Sequence, residues 1–499
     1  MRRFLATLAG SLLVVASMSA GATRAVATDR PIGEAMVQRM ARLEAETDAL
    51  RAELEHLRQQ PVRLPQVGAD SAGRNADDST LEVTPASMHG RAPVADADYF
   101  TWGELKAEMK RLTFTKGNFR IVPYGYFWAD MLYQTHRTTP GPYTVYVPSE
   151  EVEGENAFII DARRSRFGID VAGPRIPFFD CAVSSAKLEI DFQSPVTSAT
   201  ENRPTVLLRH AYWQAKNERY MVLVGQTWDV FSPLYPGMLN YSVGWDGGNI
   251  GYRRAQFRVE RYMDFSDYSL LTAQFALAQD IVPDFSTTSG VDREPAGWPV
   301  VEGRLGWTLG DRRHGRPVEL GVSGHIGETG FDFTTAGPPP LNLPPEDDAR
   351  FQTWSFNIDL KAPITERLMV KAELFTGANL SPFLGGIGQG VCPCLRVPIR
   401  SSGGWFDVGY DLTSRLHLHG GAGLDDPNDN DLLVGRSYNH FIFGNVSFDV
   451  TDQLLTGFEV AWWKTLYMDS RQGQIPDADV GPTEPGESVV LEWMVRYGF

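Results

Sequence analysis

Apolar and polar residues alternate with a period of two along much of this chain. Residues 489–499 show the pattern clearly, because every second position carries an apolar or aromatic side chain. Those positions are Val489, Leu491, Trp493, Val495, Tyr497 and Phe499. A period of two places alternate side chains on opposite faces of a strand, so this segment is predicted to be a β-strand with one apolar face and one more polar face.

Sixteen such segments follow one another from residue 119 onwards. They are predicted at 119–133, 158–172, 182–192, 205–216, 220–229, 250–261, 268–278, 299–309, 317–327, 351–361, 367–377, 403–412, 415–424, 437–448, 454–464 and 488–499. Strands about 9–11 residues long, apolar on one face, are typical of transmembrane β-barrels, although a soluble β-sandwich also contains alternating strands.

The connections distinguish these two architectures, because long and short ones alternate. The long ones are predicted near 134–157, 193–204, 230–249, 279–298, 328–350, 378–402, 425–436 and 465–487. Short turns on one side and long loops on the other are the pattern of bacterial outer-membrane barrels, whereas a sandwich has no reason to segregate them. We therefore predict an all-β transmembrane barrel of about 16 antiparallel strands over residues 118–499, with its short turns and both chain ends on the periplasmic side.

Composition narrows the classes of partner. The formal net charge of −16 argues against a nucleic-acid partner, because duplex-binding proteins usually carry a basic surface. Three cysteines in 499 residues argue against a disulfide scaffold. After the N-terminus no run of 18 apolar residues predicts a transmembrane helix.

The N-terminus has the features of a secretory signal peptide. Two arginines, Arg2 and Arg3, precede an apolar stretch at 4–18, and small residues follow. This order is typical of exported proteins. We predict a signal peptide over residues 1–22, with cleavage as late as residue 27.

A heptad repeat then predicts a periplasmic α-helical coiled coil over residues 31–60. Apolar residues with spacings of 4 and 3 form the seam, interrupted by Thr47: Met36, Met40, Leu43, Leu50, Leu54 and Leu57. The flanking g and e positions pair opposite charges, as in Arg39–Glu44, which favours parallel identical chains in register. The seam does not fix the number of chains, and a single amphipathic helix packed on its own domain is the alternative.

Residues 61–100 are rich in Pro, Asp, Ala, Ser and Gly and are predicted to be a flexible linker. Residues 101–117 are predicted to form a short helix and a lead-in to the barrel. Thr101 and Glu104 have the spacing of a capping box at the start of that helix.

Charged residues on the polar strand faces predict a water-filled lumen, because sixteen strands enclose an aqueous channel. Arg164 and Arg166 lie in one basic segment, Arg254 and Arg258 lie in another, and Arg209 lies on a strand between them. Clustered arginines favour anions, and the guanidinium group suits carboxylate or phosphate. The alternative is that the arginines form salt bridges inside the lumen. The acidic residues considered for those bridges are Asp161, Asp170, Glu189 and Glu260.

The third long connection, 230–249, is apolar for an exposed loop. The segments 225–228 (GQTW) and 251–256 (GYRRAQ), which flank it, resemble trimeric outer-membrane porins of the DcaP-like kind, which are related in plan to phosphate-selective porins. The terminal Phe499 is similar to the insertion signal of bacterial outer-membrane proteins.

This resemblance implies a homotrimer in the outer membrane, in contact with lipid, that takes up small and often anionic solutes passively. It also implies a third loop folded into the lumen, so Tyr235, Asn240 and Asp246 become candidate constriction residues. An apolar loop packed at a subunit interface is the alternative for this connection.

The sequence gives only weak evidence for metal binding, redox chemistry or catalysis. Asp426, Asn428 and Asn430 offer oxygen ligands for Ca²⁺, but the EF-hand glycine and final glutamate are missing, and a solvated acidic loop is the favoured interpretation. Cys392 and Cys394 in the sixth long connection form either an oxidised pair or free thiols. We find no nucleophile elbow, phosphate loop or catalytic triad, and we predict no enzymatic activity, no metal and no cofactor.

The sequence thus predicts an outer-membrane porin for small hydrophilic, anionic solutes, with an arginine-lined lumen narrowed by the third long loop. The alternative is a structural protein whose barrel anchors a periplasmic coiled coil.

Overall fold

The computed structural model describes residues 113–499, except 153, 178, 195–202, 282–290, 295, 313–315, 338–340 and 469–481. The signal peptide, the coiled coil with its seam from Met36 to Leu57, the linker and the helix predicted to begin at Thr101 lie outside the described residues. They remain predictions.

Within the described residues, sixteen antiparallel strands form a closed barrel, which confirms the predicted sixteen-stranded antiparallel β-barrel. They are β1 (Phe119–Gln134), β2 (Ala157–Asp161 and Arg166–Ile176), β3 (Ala182–Asp191), β4 (Leu207–Lys216), β5 (Tyr220–Trp228), β6 (Arg253–Ser266), β7 (Ser269–Ala278), β8 (Val300–Leu309), β9 (Val318–Phe333), β10 (Glu346–Pro363), β11 (Leu368–Ala378), β12 (Arg400–Asp411), β13 (Leu416–Pro427), β14 (Arg436–Asp449), β15 (Leu454–Tyr467) and β16 (Gly486–Gly498). Each strand pairs with the next, and β16 pairs with β1 to close the barrel, with Trp493 opposite Met131.

Eight long connections lie at one end of the barrel, and we name them L1 to L8. They are L1 (135–156), L2 (192–206), L3 (229–252), L4 (279–299), L5 (334–345), L6 (379–399), L7 (428–435) and L8 (468–485). The short turns lie at the other end, together with a lead-in strand, Phe114–Lys116, that pairs with the start of β1.

Some strands extend beyond their predicted ends. Strands β9 and β10 were predicted to end at residue 327 and begin at residue 351, but pairing continues out to Phe333 and Glu346. In this extension of β9, the positions that continue the outward face carry Glu328, Gly330 and Asp332 instead of apolar side chains. The apolar alternation therefore ends before the backbone pairing does, and L5 is correspondingly shorter than predicted.

The two faces of the wall differ as the alternation predicts. Along β10, the outward side chains of Trp354, Phe356 and Ile358 are exposed, whereas Ser355 and Asn357 between them are buried on the inward face. The same division holds on β16, where Trp493 points outward and Glu492 points inward. An apolar outer face suits lipid, and charged side chains are tolerated only on the inner face. Within the described residues, no helix has the length and apolar character needed to cross a membrane.

The chain end is integrated into the barrel seam. The backbone N–H of Phe499 donates to the carbonyl of Gly125 at 3.0 Å. Its ring lies 5.9 Å from that of Phe127 and 6.2 Å from that of Phe167, measured between centroids. The last residue therefore packs against β1 and β2.

Candidate pore constriction

Loop L3 connects β5 to β6, yet it contacts strands from other parts of the barrel. The backbone N–H of Leu234 donates to Glu373 of β11 at 2.8 Å, and that of Leu239 donates to Glu459 of β15 at 2.6 Å. The Asn240 amide donates to Glu492 of β16 at 2.8 Å. L3 begins at β5 and ends at β6, and in the cyclic order of sixteen strands the wall opposite them is formed by β13 and β14. The strands that L3 contacts, β11, β15 and β16, lie on either side of that opposite wall.

The middle of L3 lies on this far wall. Lys371 of β11 donates to the Tyr235 carbonyl at 2.8 Å, and Asn445 of β14 donates to the Gly237 carbonyl at 2.8 Å. Beneath Gly237 lies the ring of His419, whose Nδ1 is 3.0 Å from Asp407. A Cβ atom at residue 237 would lie only 2.1 Å from His419 Nδ1, so the close approach requires glycine.

Apolar side chains reinforce these polar contacts. Met238 packs with Phe441 and Trp463, whose rings stack with a centroid distance of 4.5 Å. The two rings provide an apolar surface for L3, which explains why the sequence of this loop is apolar.

Loops L1 and L6 pack beside L3. The backbone N–H of Thr144 in L1 donates to Asn240 at 3.2 Å. In L6, the backbone N–H of Gly388 donates to Asp246 at 2.8 Å, and the Leu384 carbonyl accepts from the Asp246 N–H at 2.9 Å. Of the three predicted constriction residues, Asn240 and Asp246 are therefore buried between loops, whereas Tyr235 is 55% exposed.

Tyr241 of L3 lies within this packed region. Its ring is 5.2 Å from that of Tyr143 in L1 and 5.9 Å from that of Trp245, measured between centroids. Burial raises the pKa of the Tyr241 phenol above its ordinary value, so it stays protonated as a hydrogen-bonding group.

Two of the five predicted arginines are buried in ion pairs. Arg209 lies 2.9 Å from Glu189 and 2.6 Å from Asp191. Arg254 contacts Asp229 at 2.6 Å and lies over the ring of Phe383 at 4.0 Å. Their charges are matched by buried carboxylates, and both side chains serve to hold L3 and L6 to the wall.

The other three arginines retain some exposure. Arg166 lies 3.4 Å from Glu189, and its side chain is 20% exposed. Arg258 lies 3.7 Å from Glu260, and its side chain is 12% exposed. Arg164, also 12% exposed, lies 4.0 Å from the carboxylate of Glu492 and 3.9 Å from the Trp128 ring centroid.

Arg164 does not share a continuous strand with Arg166. It lies in the interruption of β2, where the backbone N–H of Ser165 closes a turn onto the Ala162 carbonyl at 3.0 Å. The side chain of Arg164 donates to the Leu239 carbonyl of L3. Because the strand is interrupted here, the Arg164 side chain contacts L3.

The acidic partners differ in part from those considered in the sequence. Glu189 and Glu260 do lie beside the predicted arginines, whereas Asp161 pairs with Arg163 at 3.0 Å and Asp170 pairs with Lys187 at 2.9 Å. The L3 acceptors Glu373, Glu459 and Glu492 did not emerge from the sequence. The sequence feature that could have identified them is a single glutamate between two apolar residues of a strand, as at Phe458–Glu459–Val460.

A cavity of about 170 Å³ remains between the root of L3 and the wall. Its lining combines the aromatic residues Trp228, Trp245 and Tyr235 with the polar side chains of Arg258 and Gln274. Arg258 is thus the predicted arginine that borders open space beside the loop.

The candidate Ca²⁺ loop is organised by local contacts. Asn428 Oδ1 accepts from the backbone N–H of Asn430 at 3.0 Å and begins a short 3₁₀ turn, Asp429–Asp431. Elsewhere among the described residues, Glu294, Asp332 and Asp348 form an acidic group close enough to share a cation, but Arg350 pairs with two of them at 3.2 and 3.1 Å.

Comparison with known proteins supports the architecture. No protein-family model and no curated protein matches the chain. The structure of the outer-membrane channel DcaP of Acinetobacter baumannii is similar, with a TM-score of 0.59 and 15% sequence identity, covering 77% of this chain and 99% of that chain. The chain has the fold of an outer-membrane channel. The predicted resemblance to DcaP-like porins is therefore confirmed at the level of the fold.

Two further solved structures are more distant. An anion-selective porin from Comamonas acidovorans has a TM-score of 0.46 at 10% identity, covering 76% of this chain and 100% of its own. OprB of Pseudomonas putida has the same TM-score and identity, covering 80% of this chain and 97% of its own.

Proposed function

We propose that this chain is a trimeric outer-membrane porin that admits small hydrophilic, preferentially anionic solutes by passive diffusion. The closed sixteen-stranded wall, apolar outside and polar inside, and the fold shared with the DcaP channel support this function. Diffusion through the barrel requires neither a catalytic residue nor a cofactor. The trimer rests on the heptad seam and on the sequence resemblance, as does a periplasmic position for residues 31–60.

The observation that carries the proposal is the attachment of L3 to the wall opposite its root. Glu459 and Asn445 bind the loop from β15 and β14, and Leu239 packs against Trp128 and Met494 from β1 and β16. A loop held across the lumen narrows it. We infer that the remaining passage runs beside the L3 root, where the cavity bordered by Arg258 lies.

Selectivity then depends on the arginines that keep exposed surface. A guanidinium group has five N–H donors, and one carboxylate uses at most two of them, so a paired arginine still attracts an anion. Arg166 and Arg258 keep exposed surface, whereas the buried Arg209 and Arg254 act as structural pairs. We assign the anion preference chiefly to Arg166 and Arg258.

Single-channel recording in a planar bilayer tests this function. The purified, heat-modifiable protein is inserted under a KCl gradient, and the conductance and reversal potential are measured. We expect the conductance to increase in steps that come in groups of three, one for each subunit of a trimer. We also expect a reversal potential whose sign indicates a preference for anions. A reversal potential of cationic sign would still be consistent with a porin, but it would contradict the proposal that the arginines select anions.

One structural feature favours the alternative, a barrel that anchors a periplasmic coiled coil. Loops L1, L3 and L6 fill part of the interior with apolar clusters, including Phe231, Leu380 and Phe383. If these loops close the lumen, correctly folded protein will insert without conducting. The same recording therefore distinguishes the two functions.

A further inference from the structure

His325 of β9 is a buried residue on which L3 and L6 meet. Its ring lies 4.8 Å from that of Phe231 in L3 and 4.0 Å from that of Phe383 in L6, measured between centroids. The two phenylalanine rings are themselves 5.4 Å apart, so the three rings form one cluster. All three side chains are buried. One imidazole therefore joins the root of L3 and the start of L6 to the wall.

The hydrogen bonds of the His325 ring define its protonation. Nδ1 lies 2.7 Å from the Ser355 hydroxyl oxygen, and Nε2 lies 2.9 Å from that of Thr353. The Thr353 hydroxyl donates its one proton to the Asn379 carbonyl at 2.9 Å, so it must accept from an Nε2–H group. The Ser355 hydroxyl accepts from the Asn357 amide at 2.9 Å, so its own proton is available to Nδ1. This pattern assigns a neutral imidazole with its proton on Nε2.

A proton added to Nδ1 would disrupt this arrangement. Two N–H groups would then face the Ser355 oxygen, and the Ser355 hydroxyl would have to find another acceptor. The new charge would also lie in a buried site, where an ion loses its hydration. The Phe383 ring offers it little compensation, because the Arg254 guanidinium already lies 4.0 Å from that ring and pairs with Asp229 of L3. A protonated His325 would therefore add a second cation beside one ring.

A carboxylate beside the cluster also holds the root of L3. Glu302 of β8 is opposite His325 in the strand register, and it accepts from the Val230 N–H at 2.8 Å. The segments of L6 and β10 that contribute to the cluster and its hydrogen bonds, 379–385 and 353–357, contain no charged residue. A positive charge on His325 would attract Glu302 and so compete with its bond to L3.

We propose that His325 is a pH-sensitive attachment point for L3 and L6. The neutral ring holds Phe231 and Phe383 against the wall, whereas a ring protonated in acid releases both loops and widens the passage beside the root of L3. Histidine is the side chain whose charge ordinarily changes between neutral and mildly acidic solution. The release itself requires no porin function, and only its effect on conductance rests on the proposed function.

Single-channel recording of the full-length protein at about pH 7.5 and about pH 4 tests this attachment, since these values lie on either side of the ordinary histidine pKa of about 6.5. We expect larger conductance and more frequent current fluctuations at the acidic pH. His325→Gln takes up no proton but can still bond to hydroxyl groups, so it should lose this response. His325→Phe keeps a ring in the cluster and should lose the response as well, which provides a second variant if the first does not fold.

Hydrogen exchange measured by mass spectrometry reports the release of L3 without requiring conductance. The backbone N–H groups of Val230 and Leu234 bond to Glu302 and Glu373, so peptides from the root of L3 should be protected at neutral pH. After correction for intrinsic exchange rates, this protection should fall in acid in the unchanged protein and persist in His325→Gln. If no current flows at either pH, the porin function is rejected, and hydrogen exchange alone decides whether His325 attaches the loop.

His440→Gln is the matched control, because the register of β14 places His440 opposite Lys464 and its ring lies 5.1 Å from that of Trp462. This variant should respond to acid as the unchanged protein does. An equal acid response in the unchanged protein and in His325→Gln would overturn the proposal and assign the response to other groups, such as the carboxylates that hold L3. The absence of any acid response in the unchanged protein would also overturn it. Heat-modifiable migration of each variant shows that the barrel has folded.

Discussion

Glu459 on β15 accepts a hydrogen bond from the backbone N–H of Leu239, which lies 220 residues earlier in the chain, with an N–Oε2 distance of 2.6 Å. The same carboxylate accepts from the Asn240 N–H at 3.3 Å and from the Asn445 amide at 2.8 Å. One buried side chain thus joins L3 to the wall opposite its root. Hydrogen bonds to charged groups contribute about 1.5–3 kcal/mol each, so this contact is a principal attachment of the loop.

Replacing Glu459 with Gln should loosen L3. Glutamine retains one acceptor oxygen, but its amide nitrogen must face an N–H donor, so at least one of the three bonds is lost. We expect larger single-channel conductance and more frequent current fluctuations in the planar bilayer. Glu487→Gln is the control, because Glu487 is an exposed partner of Lys464. Unchanged conductance in Glu459→Gln would show that the loop does not depend on this carboxylate.

Gly237→Ala should displace the same loop by a steric route. The added Cβ would overlap the His419 ring, and overpacking of this kind costs about 1–3 kcal/mol. We expect a lower thermal unfolding temperature in detergent and altered conductance. His419→Ala removes the ring, so the double variant should recover most of the stability that Gly237→Ala alone loses. Equal destabilisation by Gly237→Ala in both backgrounds would contradict the proposed contact.

Arginine substitutions should separate selectivity from structure. Arg166→Ala and Arg258→Ala should each lower the anion-to-cation permeability ratio by about threefold, because each removes a partly exposed positive charge of the kind that favours anions in a pore. Arg209 still neutralises Glu189 when Arg166 is absent. Reversal potentials measure the change.

The buried arginines should behave differently. Arg254→Ala leaves Asp229 without its partner, and breaking a buried pair costs about 3–5 kcal/mol. We therefore expect a loss of folded barrel rather than a clean shift in selectivity. Arg415→Ala, in an exposed turn, controls for removal of a positive charge alone. An Arg415→Ala shift as large as those of Arg166→Ala and Arg258→Ala would count against the arginine filter.

The strands could be predicted from sequence because alternation is a local signal. Two of the predicted segments, 119–133 and 205–216, alternate poorly in sequence, and the structure explains both. On β4, Arg209 and His210 are adjacent and both buried, because the register with β3 shifts between Glu189 and Ile190. On β1, Leu132 faces inward to pack with Val147 of L1, so an apolar residue occupies a position expected to be polar.

The path of L3 could not be predicted in the same way. Its apolar composition allowed either an inward fold or a subunit contact. The contacts that attach it depend on residues far away in sequence, such as Glu459 and Phe441. Nor did charge clustering reveal that Arg209 and Arg254 are buried in pairs, because their partners Asp191 and Asp229 lie 18 and 25 residues away.

A charge placed on the outer face should test whether that face contacts lipid. Leu374 on β11 points outward and is 60% exposed. Arginine on the lipid face of a barrel costs about 2–4 kcal/mol near the membrane centre, since its charge must leave water. We expect Leu374→Arg to lower the yield of folded, heat-modifiable protein in lipid vesicles and its free energy of unfolding by that amount. Leu341→Arg is the control, because Leu341 is similarly exposed, at 50%, but lies in L5. Equal tolerance of both substitutions would mean that the face around Leu374 does not lie in the membrane.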